Sequence, residues 1–210
     1  MGRSFDASLP KNWPSNVSYI TAPVLSKSLT SSHINQLRCA GKDHAIVPQN
    51  NPKGLCNLVK ITPITSPPHP AYGQYGLFAT KDLKPGMFIL RYLGEIHPST
   101  ESPNEPLDTS TGVSDVDRHA KSDYDLSLDR ELGLGIDAEK MGNEARFIND
   151  YRGVAEKPNV EFKEIWDEVR RERGMGVWVL GEGKSGKGKG VRKGEELLVS
   201  YGRGFWAARK

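Results

Sequence analysis

Apolar positions in this chain fall in short runs separated by turn residues, a spacing that predicts strands rather than long helices. Leu58-Val59-Lys60-Ile61-Thr62-Pro63-Ile64 has strand composition and is broken by Ser66-Pro67-Pro68-His69-Pro70. Leu77-Phe78-Ala79-Thr80 reads as the next strand, and Lys84-Pro85-Gly86 as a turn before the apolar run from Met87 to Leu93. Tyr124-Asp125-Leu126-Ser127-Leu128 alternates as a half-buried strand should, and residues 176–180 and 196–201 are two further strands. Residues 161–173 stay open. Phe162, Ile165, Trp166 and Val169 recur at helical spacing, while Val160, Phe162 and Trp166 share one face of an extended strand.

Between these runs the chain divides unevenly. Residues 1–57 are polar and carry Pro10, Pro14, Pro23, Pro48 and Pro52, so they read as an irregular N-terminal extension with one short helix around His33–Cys39. Residues 98–122 are rich in Ser, Thr, Pro and Asp and read as a long surface loop. The rhythm is that of a mainly β domain with short helices (α+β). With 210 residues, 36% apolar residues and 22 glycines, the chain can bury a sizeable core, which excludes a disordered tail or a coiled coil. No window approaches the ~18 consecutive apolar residues of a membrane helix, and the N-terminus lacks the apolar run of a signal peptide. An intracellular protein with no membrane partner is expected. Two cysteines, Cys39 and Cys56, cannot supply the four ligands of a structural zinc site, so no metal is expected.

Charge changes the picture more than composition does. Residues 1–100 carry 10 basic and 4 acidic side chains, residues 101–140 carry 4 and 11, and residues 141–210 carry 15 and 11. The net +3 therefore conceals a −7 segment, which is either a solvated acidic loop or a surface for a cationic partner. Direct nucleic-acid binding is not expected from so small a net charge.

Two constellations could carry chemistry. Gly181-Glu182-Gly183-Lys184-Ser185-Gly186-Lys187-Gly188 matches a phosphate-binding loop except at its last position, where Gly188 lacks the hydroxyl that holds magnesium. A basic turn and another strand follow rather than a helix, so a flexible hairpin loop is the better reading. The second constellation is spread along the chain in a fixed order. It comprises Gly73-Gln74-Tyr75-Gly76-Leu77-Phe78-Ala79, Tyr92-Leu93-Gly94-Glu95, Ile136-Asp137-Ala138, Gly142-Asn143-Glu144-Ala145-Arg146-Phe147-Ile148-Asn149, Pro158-Asn159-Val160 and Gly194-Glu195-Glu196-Leu197-Leu198-Val199-Ser200-Tyr201-Gly202.

This set resembles the SET domain, the protein lysine methyltransferase fold that uses S-adenosylmethionine, and here a zinc-free member of that family. The resemblance covers residues 58–206, with 101–140 as an acidic variable insert and 207–210 as a C-terminal tail. It implies a β-clip fold whose C-terminal segment is threaded like a knot, an exception to unthreaded topology. It also implies methyl transfer to a lysine of a basic protein or peptide, a histone tail above all, and a nuclear location. Such a transfer is an in-line displacement at a sulfonium methyl. The amine must be neutral, aligned and shielded from water, which an aromatic channel provides.

By resemblance Tyr201 is the catalytic tyrosine, with Tyr92 in the same channel, and Phe162 lies where the family has Tyr or Phe. A Phe there leaves room for two or three methyl groups. The cofactor would be held by Gln74, Tyr75 and Gly76, by Tyr124, by Arg146 and Phe147, and by Asn149 and Asp150. The family commonly has His and Cys where this chain has Asp150 and Arg152. The first substitution supports an alternative, a weak or inactive binding module; the second matches the missing zinc cluster. Phe205 and Trp206, two large aromatics directly after Tyr201, are expected to roof the lysine channel or pack on the adenine.

Overall fold

The computed structural model describes residues 9–51, 53–99, 118–181 and 189–202. The strands in chain order are β1 (Ser18–Tyr19), β2 (Val24–Leu25), β3 (Ala45–Ile46), β4 (Val59–Pro63), β5 (Tyr75–Ala79), β6 (Phe88–Tyr92), β7 (Glu95–Pro98), β8 (Asp125–Asp129), β9 (Leu134–Asp137), β10 (Met141–Gly142), β11 (Asn149–Asp150), β12 (Val160–Asp167), β13 (Glu172–Val179) and β14 (Leu198–Val199). They form two four-stranded sheets, ordered β3-β12-β13-β6 and β2-β7-β9-β8, and three two-stranded pairs, β4-β5, β1-β10 and β11-β14. Helical structure includes α1 (Ser31–Leu37) and a 3-10 turn at Glu144–Phe147. The architecture is mainly β with short helices, as the spacing of apolar runs predicts.

The open segment 161–173 resolves as strand. β12 pairs antiparallel with β13 from Val160↔Val179 to Asp167↔Glu172, and the β-branched and aromatic residues that spoke for either element favour this pleated surface. The helical spacing was a coincidence at its last member, since Val169 lies in the hairpin turn at 65% exposure. The turn is built by Asp167, whose carboxylate accepts the backbone N–H groups of Val169 (3.0 Å) and Arg170 (2.9 Å). Ile165 and Phe162 face opposite sides of β12. Ile165 packs with Val47 and Phe88, and Phe162 against the main core, so this strand is covered on both faces.

Within residues 1–57, read as an irregular extension, the described part from residue 9 onward carries more order than its proline content suggests. β1 pairs with β10, β2 with β7 and β3 with β12, all in parallel, while Leu29 and Leu37 enter the main core. Helix α1 is closed at its start by a reciprocal pair. The Thr30 hydroxyl accepts the His33 N–H at 3.2 Å, and His33 Nδ1 accepts the Thr30 N–H at 3.3 Å. An imidazole thus takes the part that Glu plays in the usual capping box.

The main core gathers Leu77, Ile89, Leu134, Ile136, Val177 and Leu197, each almost wholly buried. Burial of such a side chain contributes about 1.5–3 kcal/mol, so these strands are held chiefly by apolar contact. Residues 194–199 run between two other elements: Leu197 N–H donates to Leu77 O at 2.7 Å, and β14 lies parallel to β11 with Asn149↔Leu198 and Asp150↔Val199 in register. That placement delivers Tyr201 to the segment around Ile148.

Candidate active site

A cavity of about 760 Å³ opens where β5, the 3-10 turn, β11 and the chain after β14 converge. Gln74, Tyr75, Tyr124, Arg146, Phe147, Asn149, Asp150 and Tyr201 all line it. The sequence scattered these residues over 128 positions, and the fold gathers them around one space.

The loop before β5 is shaped by Gly73, whose φ of 81° is a conformation that favours glycine. Its N–H donates to Ile64 O at 3.0 Å while Ile64 N–H donates to Gln74 O at 2.9 Å, which presents Gln74 and Tyr75 at the cavity edge. Gly76 does not line the cavity. It is buried, and a Cβ there would collide with a carboxylate oxygen of Glu196, so glycine is needed for the close approach of Glu196.

Arg146 is held by a bond from Nε to Ala138 O at 2.9 Å, and its guanidinium lies 4.1 Å from the centre of the Tyr124 ring. Phe147 meets Tyr75 edge-on at 6.2 Å and Trp13 at 5.7 Å. Asn149 donates from Nδ2 to Tyr75 O (3.2 Å) and to Glu196 Oε1 (2.8 Å), and Glu196 is bonded in turn to His69 Nε2 at 3.0 Å. Glu196 was invisible as a site residue because Glu-Glu-Leu-Leu-Val reads only as a strand entrance. The same is true of Pro14, Asn16 and Val17, which line the cavity from a segment whose prolines signalled only irregularity.

Asp150 has a definite task. Its carboxylate accepts the Tyr201 N–H at 2.8 Å and the Arg152 N–H at 2.9 Å, and pairs with the Arg152 guanidinium at 3.1 Å. An acid and a base thus stand together at Asp150 and Arg152, and the acid anchors the backbone of Tyr201.

Tyr201 donates its hydroxyl proton to Ile148 O at 2.8 Å, and Tyr92 donates its own to Tyr124 O at 2.6 Å. Burial, reinforced by the Asp150 charge, pushes the Tyr201 phenol well above its ordinary pKa; burial and the neighbouring Tyr201 do the same to Tyr92. Both stay protonated at any physiological pH and act as neutral hydroxyls. Phe162 meets Tyr92 edge-on, 5.4 Å between ring centres and 79° between planes, and the two pack in the main core rather than among the residues that line the cavity. Phe205, Trp206 and residues 182–188 of the glycine-rich loop lie outside the described residues.

The donor set fits a cofactor that is part nucleoside and part amino acid. Tyr75 and Phe147 offer aromatic surface, Asn149 an amide, and the cavity wall carries both acids, Asp123 and Glu139, and bases, Lys140, Arg146 and Arg152, as a zwitterion requires. Its volume lies in the ~300–1,000 Å³ range of small-molecule sites.

Two curated proteins are similar to part of this chain. One is the "Histone-lysine N-methyltransferase EZH2" of Chaetomium thermophilum, 30% identical over 132 residues, which make up 62% of this chain and 8% of that protein. The other is the "Histone-lysine N-methyltransferase, H3 lysine-36 specific" of Coccidioides immitis, 31% identical over 127 residues, 60% of this chain and 10% of that protein. The chain thus spans a tenth or less of the length of these relatives. A solved structure titled "ctPRC2 in an autoinhibited conformation bound to S-adenosylmethionine" aligns at a TM-score of 0.49 and 25% identity, covering 71% of this chain and 16% of that one. Residues 74–202, which include the loop at Tyr75, the Asn149 segment and Tyr201, match the SET domain, and the chain belongs to that family.

Proposed function

We propose that this chain transfers methyl groups from S-adenosylmethionine to a lysine side chain of a protein, with a basic segment such as a histone tail as substrate and the nucleus as its place of work. The observation that carries this reading is the seating of Tyr201 at the cavity, its hydroxyl proton committed to Ile148 O and its backbone fixed by Asp150. When bound, S-adenosylmethionine supplies an electrophilic methyl on a sulfonium.

The chain's residues govern the rest. A phenol that stays neutral and gives its proton to a carbonyl presents its oxygen as an acceptor, which suits a lysine amine that must be aligned after losing its proton to solvent. Tyr92 and Phe162 exclude water behind it. With the cofactor bound, Tyr201 would align the neutral amine for displacement at the methyl carbon, the bonding pair passing to sulfur as the leaving group. Asn149, held by Glu196, is assigned to the amino-acid end of the cofactor. Arg146 and Phe147 brace the wall beside it, Tyr75 and Gln74 form its rim, and Tyr124 and Asp150 complete the enclosure. Trp206 and Phe205 are assigned to its cover.

Because Phe162 carries no hydroxyl to narrow a lysine channel, two or three methyl groups are the expected product. Mass spectrometry of a modified peptide checks this, with Phe162→Tyr shifting the product toward one methyl group. The acidic insert is assigned to one side of the peptide groove. Raising salt should raise the KM for a basic peptide; a KM indifferent to salt argues that these acids are simply solvated. Labelled S-adenosylmethionine incubated with histones tests the activity itself: transfer lost in Tyr201→Phe supports the enzyme, and binding without any transfer by the native chain supports a binding module instead.

A further inference from the structure

Outside the cavity, the sheet β2-β7-β9-β8 contains a buried polar cluster with no part in the reading above. The imidazoles of His97 on β7 and His119 stack face to face, 3.6 Å between ring centres and 8° between planes, at 2% and 5% exposure. Each meets a carboxylate: His97 Nε2 lies 2.9 Å from Asp125 Oδ1 on β8, and His119 Nδ1 lies 2.7 Å from Asp137 Oδ2 on β9. Two stacked cations at this distance would repel strongly in so dry a setting. The remaining ring nitrogens show how this is avoided.

His119 Nε2 faces the Arg118 guanidinium at 3.0 Å, and a guanidinium can only donate. Nε2 must therefore accept, which leaves the one proton of a neutral ring on Nδ1, donated to Asp137. His97 Nδ1 faces Pro98 O at 2.9 Å, and a carbonyl can only accept. Both nitrogens of His97 thus donate, one to Pro98 O and one to Asp125, and His97 is the charged member. Burial opposes that charge, but the hydrogen bond and charge of Asp125 outweigh it and raise the His97 pKa. The other charged groups around the pair are Asp137 from β9, Glu95 from β7 itself and Arg118, which bonds Glu95 Oε2 at 3.0 Å.

From this pair a continuous hydrogen-bond chain runs to the site. Asp137 Oδ1 accepts the Ser122 hydroxyl at 2.7 Å, and Ser122 Oγ accepts the Tyr124 N–H at 3.1 Å. Tyr124 O accepts the Tyr92 hydroxyl, and its ring carries the Arg146 guanidinium. Tyr124 is thereby tied at its N–H, its carbonyl and its ring, and the first of these ties leads back to the stacked imidazoles.

We infer that the stack is a positioning device for the active site: neutral His119, acting through Asp137 and Ser122, holds Tyr124 in register, and charged His97 locks β7 to β8 beside it. The inference rests on the methyltransferase reading for its kinetic consequence, while the two protonation states stand on geometry alone.

Full-length protein labelled with nitrogen-15 tests it. At pH 7 the imidazole spectrum should show His97 protonated on both nitrogens and His119 protonated on Nδ1 only, assigned with His97→Gln and His119→Asn. The reverse assignment, or two neutral rings, overturns the inference. In methyl-transfer assays His119→Phe keeps a flat ring on His97 but removes the donor to Asp137. It should lower kcat about tenfold, the scale of a small misplacement of a reacting group, with the cofactor KM changed less than about twofold. His119→Asn, whose Nδ2 can replace Nδ1, should restore kcat to within about twofold of the native value. A kcat unchanged in His119→Phe, or not restored in His119→Asn, contradicts the positioning role. Ser122→Ala gives the same comparison with a smaller perturbation should His119→Phe not fold. A native chain that neither binds nor transfers would count against the methyltransferase reading, and the Tyr124 amide then decides: His119→Phe should speed its hydrogen exchange, and an unchanged rate overturns the inference.

Discussion

Asp150 at the cavity and Asp137 in the sheet beside it are both nearly buried carboxylates, and they are satisfied in opposite ways. Asp150 meets a cation and two backbone N–H groups, all within the few residues around β11 and Tyr201. Asp137 meets no cation directly. It accepts a neutral imidazole N–H, the Ser122 hydroxyl and the Glu139 N–H, while the charge of Arg118 reaches it only through His119. The first arrangement fixes one backbone segment locally. The second ties β9 to His119, Ser122 and the turn at Glu139, and on the positioning inference a change at either end should be transmitted along it.

The largest expected effect breaks the first arrangement. Asp150→Leu strands the N–H groups of Tyr201 and Arg152, at a cost of about 1–3 kcal/mol on denaturant unfolding. Its methyl transfer should fall by about 10²-fold because Tyr201 loses its anchor. Asp137→Leu should cost a similar ~1–3 kcal/mol but lower transfer only about tenfold, since it acts on Tyr124 at two removes. Equal kinetic losses in the two variants would erase the distinction between a local anchor and a distributed one.

A pH titration separates the regions further. His97 has a folded pKa raised above its unfolded value, so its contribution to stability is complete below the unfolded value and is lost as pH rises through the folded one. Thermal unfolding should show a decline in stability as pH rises through the raised His97 pKa, which His97→Gln removes; a decline that persists in His97→Gln would place it elsewhere. The smallest effect is expected on the surface of β12, where Lys163 and Glu161 pair at 40% and 35% exposure. Lys163→Ala should shift stability by less than about 1 kcal/mol and leave transfer unchanged.

The contrast also marks what the sequence could disclose. Strand runs such as 87–93 and 176–180 were legible because burial on both faces writes itself as continuous apolar composition, and β6 and β13 appear there. Tyr75, Asn149 and Tyr201 were legible because the motifs around them keep a fixed order. The hairpin at 167–171 was not, since Val169 happened to fall at helical spacing. The imidazole stack was hidden for a different reason. His97 and His119 lie 22 positions apart, joined by a Ser-, Thr-, Pro- and Asp-rich stretch that reads as a surface loop, and only the pairing of β7, β8 and β9 brings their carboxylates to them. Several acids counted in the −7 segment have partners within the protein: Asp125 serves His97, Asp137 serves His119, and Asp129 accepts from Arg173 and from the Leu132 and Glu131 N–H groups; burial would raise the Asp129 pKa, but these bonds outweigh it and lower it. Of the remaining acids among the described residues, Asp123 and Glu139 line the cavity and Glu131 is exposed.

The most direct test of the central claim measures cofactor binding and methyl transfer on the same preparations of the native chain and Tyr201→Phe. Calorimetry should give S-adenosylmethionine affinities within about twofold of each other, because the Tyr201 backbone and its Asp150 anchor are retained, while labelled transfer to histone should fall by about 10²-fold or more. Equal transfer rates in the two proteins would contradict the assignment of Tyr201, and a native chain that binds no S-adenosylmethionine would contradict the account as a whole.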